Sequence, residues 1–109
     1  MQSSTSNSDS DSQPGAGGVH LDGLKSGTLL RVETSSRSYE LEYQGNNQGL
    51  ISGHPKYCPT PVLVEVHGST WGGATLRTRY LGRGMRLEFK HPEHGVVRTS
   101  RIEAIEHIN

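Results

Sequence analysis

Apolar and polar residues alternate most persistently between Pro61 and Phe89, PVLVEVHGSTWGGATLRTRYLGRGMRLEF. Val62, Val64 and Val66 share one face of an extended chain, as do Leu76, Thr78 and Tyr80, and then Met85, Leu87 and Phe89. A period of two predicts half-buried strands, and the glycines between the runs supply turns. The expected elements are a strand over Val62 to His67, a turn over Gly68 to Gly73, and a hairpin of Ala74 to Tyr80 with Met85 to Lys90 around Leu81 to Gly84. In that hairpin Arg77 faces Glu88 and Arg79 faces Arg86, and the like-charged pair asks for a neutralising partner. Trp71, beside Gly72 and Gly73, is expected to fold back over one end of the barrel.

Upstream, Thr28 to Thr34 and Arg37 to Tyr43 predict a hairpin around Ser35 and Ser36. Pairing Thr34 with Arg37 sets Val32 beside Tyr39 and Leu30 beside Leu41 on one face, with Arg31 against Glu40 on the other. A polar turn over Gln44 to Gln48 leads to a short strand, Gly49 to Ser52. Gly53 to Pro61 carries three prolines and predicts an irregular connection, because proline cannot donate to a ladder. Leu21 and Leu24 are spaced to tuck one turn under the sheet. Downstream, HPEHG (His91 to Gly95) is a turn, Val96 to Ser100 a strand, and Ile102, Ile105 and Ile108, three apart, fit a short helical turn.

These elements predict an all-β domain, a small antiparallel β-barrel or roll of five to seven short strands. Composition agrees: 14 glycines suit tight turns, and with a single Phe and a single Trp the core must come from Val, Leu, Ile and Tyr. Residues 1–19, rich in Ser, Asp and Gly, read as a disordered tail, leaving residues 20–109 as one domain. The GAGG run at Gly15 to Gly18 lacks the third glycine of a dinucleotide fingerprint and follows no strand. Cys58 is the only cysteine, so no internal disulfide forms. No stretch approaches the ~20 apolar residues of a membrane span, and no charged n-region or apolar h-region opens the chain. A cytoplasmic protein without a cofactor or membrane partner is the expectation.

Four residues have the chemistry of metal ligands. His54 and Cys58 are separated by three residues in one predicted loop (H-x3-C), His91 and His94 by two in another (H-x2-H), and zinc accepts both donor types. The spacing matches no zinc-finger pattern. Cys58 with His54 or His67 lacks an orienting third group, and Ser69 lacks the G-x-S-x-G context, so neither predicts catalysis.

Formal net charge is zero, yet from Arg77 to Arg101 seven basic residues (Arg77, Arg79, Arg83, Arg86, Lys90, Arg98 and Arg101) stand against only Glu88 and Glu93. In the predicted hairpin Arg77, Arg79 and Arg86 project outward with Arg83 at the tip and Arg98 on an adjoining strand, a surface suited to phosphate or single-stranded nucleic acid. Arg79 to Arg83 spells R-x-x-x-R, similar to the arginine motif of PilZ domains, which bind cyclic dinucleotides. In that family the motif precedes the barrel and a D/N-x-S-x-x-G strand follows, and this chain has neither arrangement.

LRVETSSRSYEL (Leu30 to Leu41), GSTWGGATL (Gly68 to Leu76), GRGMRLEF (Gly82 to Phe89) and RTSRIEAI (Arg98 to Ile105) together resemble a family of short bacterial all-β proteins without assigned activity. The resemblance implies a bacterial source and a compact β domain, and carries no catalytic residues. The expected role is that of a non-enzymatic binding or adaptor module. A protein partner or a second copy stands ahead of nucleic acid, because an exposed strand edge invites pairing whatever its charge.

Overall fold

The computed structural model describes residues 18–72 and 75–109. The predicted tail and the GAGG run lie outside the described residues as far as residue 17. Gly18 and Val19, read as the end of the tail, instead begin the first strand. In chain order the strands are β1 (Gly18–His20), β2 (Leu29–Thr34), β3 (Ser38–Gly45), β4 (Gln48–Ser52), β5 (Val62–Thr70), β6 (Leu76–Thr78), β7 (Tyr80–Gly82), β8 (Arg86–His91) and β9 (Gly95–His107).

A closed ring organises them. The main sheet runs β4, β3, β2, β9, β8, β5, β6, and β4 also pairs with β5, so six strands close on themselves and β6 is left as an appendage. All pairings are antiparallel. The all-β barrel expected from the alternation is therefore present. Its lumen is filled by side chains from alternate positions: Leu30, Val32, Leu41, Ile51, Leu87 and Phe89 have no exposed surface. Leu21, in a single 3-10 turn over Leu21–Gly23, adds to the same core, which is the tucked turn the leucine spacing predicted.

The β2–β3 register is the predicted one, with Leu30 opposite Leu41, Arg31 opposite Glu40 and Val32 opposite Tyr39. Its two-residue turn has no Gly or Asn because Thr34 does their work. The Thr34 hydroxyl donates to Arg37 O at 2.7 Å and accepts the N–H groups of Ser36 and Arg37.

Two predicted elements are corrected. The C-terminal stretch is strand rather than helical turn: β9 runs unbroken to His107, its first part on β8 and its last part on β2. An irregularity between Ile102 and Ala104 adds one residue to β9, so Ile102 opposite Thr34 and Ile105 opposite Val32 return to the same face despite being three apart. A helical spacing thus arises from a strand with a bulge.

The hairpin of Ala74 to Tyr80 with Met85 to Lys90 does not form. Arg79 adopts φ 56°, which breaks the run into β6 and β7. β6 pairs with β5, β7 pairs with β1, and β8 lies between β5 and β9. Leu76, expected to face inward, is 41% exposed, while Leu81 after the break is wholly buried.

Candidate functional site

Arg79 is the point where the chain passes from one sheet to the other. Its N–H donates to His67 O at 2.8 Å, continuing the β5–β6 ladder, and its carbonyl accepts the N–H of Leu21 at 2.9 Å, continuing the β1–β7 ladder. Its guanidinium reaches Asp22 at 3.0 Å. Ser69, buried on β5, donates to the carbonyl of Tyr80 and accepts the N–H of Gly82 at 3.2 Å. This hydroxyl fastens β7 to the barrel and has no nucleophile's setting.

The same geometry leaves β6 open. It ends the sheet order with β5 as its single neighbour among the described residues, and all three of its residues are exposed. Antiparallel ladders alternate, so with Arg79 N–H turned to β5 the N–H groups of Thr78 and Leu76 turn away from it. Leu76 lies opposite Thr70, and Trp71 follows directly, 54% exposed. The Trp71 ring lies along Gly84, where a Cβ would stand 3.3 Å from it. Trp71 therefore packs on a turn with more than half its surface in solvent.

The arginines predicted to make one face are distributed over several settings. Arg77 lies over the Tyr80 ring, 4.5 Å from its centroid, and that ring also contacts His20 at 4.7 Å. Arg98 Nε–H donates to Glu88 Oε1 at 2.9 Å, and His67 Nδ1 lies 2.7 Å from Glu88 Oε2. Glu88, which sequence reasoning treated only as a counter-charge to Arg77, is the buried centre of that network. Arg86 stands opposite Arg101, not Arg79. The two ends of the R-x-x-x-R motif diverge. Arg79 borders a depression with Leu21, Asp22 and Tyr43, whereas Arg83 borders another with Ser35, Arg101 and Glu103.

The loops carrying the candidate metal ligands do meet. Tyr57 stands between His54 and His94, with ring centroids 4.6 and 5.2 Å away, and His91 lies 4.6 Å from His94. Much of the donor capacity is spent on backbone. His54 Nδ1 accepts the N–H groups of Lys56 and Tyr57, while His91 Nδ1 accepts those of Glu93 and His94 and its Nε2–H donates to Tyr57 O at 2.8 Å. These imidazoles brace two turns. Among the described residues no three His, Cys, Asp or Glu side chains are grouped to hold a metal ion. Cys58 is fully buried, and burial raises its thiol pKa above the ordinary value, the opposite of an activated nucleophile. His54 is held below the usual histidine range, first by desolvation and then by Arg37 and Lys56. Burial likewise raises the pKa of Tyr39.

Among the described residues no helix is long and apolar enough to cross a membrane. Comparison of the chain with protein-family models, curated proteins and solved structures gives no match.

Proposed function

We propose that this chain is a non-enzymatic binding module that receives an extended segment of another protein along β6. One observation carries the reading: beside a barrel that closes six longer strands in a ring, the short strand β6 keeps an open edge among the described residues, next to exposed Leu76 and Trp71. Main-chain bonds to Leu76 and Thr78 supply affinity, and the two apolar side chains supply anchors. Arg77 at the centre of β6 favours an acidic residue opposite it. Two copies paired about that centre would oppose arginine to arginine, which disfavours self-association through this edge. The reading sets the module in a bacterial cytoplasm, supported by the family resemblance and by the free thiol of Cys58.

Thr78→Pro tests it. The substitution removes an outward donor while the bonds of Arg77 and Arg79 to β5 remain, so the fold is expected to melt within about 1 kcal/mol of the native protein. Partner capture should fall at least about tenfold, the effect of one lost hydrogen bond and a steric block. A partner held equally by both proteins contradicts the β6 edge. Sedimentation showing a dimer that Thr78→Pro dissociates would move the reading to self-association.

A further inference from the structure

Three arginines meet near one turn without a carboxylate partner. Arg31 pairs with Glu40 and Glu106, Arg79 with Asp22 and Arg98 with Glu88, whereas Arg83, Arg86 and Arg101 make no ion pair among the described residues. Arg86 and Arg101 occupy directly opposed positions on β8 and β9. Like charges so placed cost stability unless an anion lies between them.

Backbone carbonyls hold two of them in place. Arg86 Nη1 donates to Thr99 O at 3.2 Å and Arg101 Nη1 to Gly84 O at 2.8 Å. A guanidinium has five N–H donors, so each retains several after that contact. The floor is rigid backbone: Gly84 N–H donates to Ile102 O and Ile102 N–H to Met85 O, both at 2.7 Å. Arg83 and Arg101 line an open depression there with Ser35, Gly84, Ile102 and Glu103. Glu103 is the one carboxylate in that lining, which leaves an excess of positive charge with Arg86 alongside. Trp71 lies on Gly84, so a broad aromatic face borders the same turn.

We propose that Arg83, Arg86 and Arg101 form an anion site for a phosphate group, free or carried by a nucleotide whose base stacks on Trp71. Guanidinium forks, two of them held by backbone carbonyls, match phosphate oxygens in geometry and charge, and an exposed indole accepts a base by its π-face. The arginine cradle uses no residue of β6 and stands whether or not a protein segment adds there, while the Trp71 face is shared with that edge.

The test is a titration of the full chain at constant ionic strength, with chloride replaced by inorganic phosphate in one arm and by adenosine 5′-monophosphate in the other. Amide shifts and Trp71 fluorescence are followed. Saturable shifts at Gly84, Arg101 and Ile102 are expected, weakened at least about tenfold in Arg101→Gln, which loses charge-assisted bonds. Arg31→Gln should leave them unchanged. Equal binding in both arms assigns free phosphate, and tighter binding of the nucleotide with quenching of Trp71 assigns the nucleotide. Arg101 is exposed, and a thermal melt of the variant separates lost binding from lost folding. Shifts that do not saturate in either arm, or that survive Arg101→Gln in a folded variant, overturn the proposal.

Discussion

Gly68→Ala is expected to destabilise the domain by about 2–4 kcal/mol and to loosen β6 from β5. Gly68 sits at φ 140°, a conformation that L side chains rarely adopt, and an added Cβ would collide with the backbone carbonyl oxygen of Arg77 and crowd the nitrogen of Arg79. Neither atom belongs to a flexible side chain. Relief requires moving the β6 backbone, and that motion strains the bond from Arg79 N–H to His67 O where the chain changes sheets. Urea unfolding read by far-ultraviolet circular dichroism gives the stability loss, and tryptophan fluorescence gives the local change near Trp71. A variant as stable as the native protein would mean that β6 is not packed against β5 at Gly68.

Phe89→Ala should cost about 3–5 kcal/mol, a large share of the margin of a domain this size. Phe89 has no exposed surface, lies opposite Val66 on β5 and Val97 on β9, and is the largest of the fully buried side chains. Its removal leaves a cavity that ring closure resists collapsing, because the strands on both sides are hydrogen-bonded to further strands. Val96→Ala, one residue from Val97 on the outer face and 47% exposed, is the matched comparison and should stay within about 0.5 kcal/mol. Equal losses at the two positions would place Phe89 outside the core.

Where alternation on one face coincided with charge pairing on the other, the sequence specified the register: β2 and β3 pair as Leu30 with Leu41 and Arg31 with Glu40. The inward positions of Val64, Val66, Met85, Leu87 and Phe89 were legible for the same reason, since each belongs to a long run of period two. The break at Arg79 was not legible. A left-handed conformation is ordinarily signalled by Gly, Asn or Asp, and an arginine held there by bonds to His67 O and from Leu21 N–H carries no such signal. That one residue misdirected the hairpin, since a run continued through it would pair with the next strand in sequence. The isoleucines of β9 misled in the opposite way, because a bulge shifts a strand's phase by one residue and so imitates a helical repeat.

The candidate surface was partly legible. Arginine-rich composition pointed to the C-terminal strands, yet which arginines remain unpaired depends on Asp22, Glu88 and Tyr80, brought in by tertiary contacts between distant segments. His54 lies in the predicted connection and His94 in the predicted turn, whereas His91, predicted in that turn, is the last residue of β8; the two regions do meet. The histidines' role in bracing Lys56, Tyr57, Glu93 and His94 could not be read from spacing, since ligand and turn-capping histidines have the same neighbours in sequence.

Backbone amide hydrogen exchange, measured on the free chain and again with its captured partner, tests the open edge of β6 most directly. In the free chain the amides of Leu76 and Thr78 should exchange rapidly while those of Arg77 and Arg79, bonded to β5, are protected, and partner binding should slow Leu76 and Thr78 specifically. Protection of Leu76 and Thr78 already present in the free chain, or exchange there unaltered by a bound partner, would contradict the account.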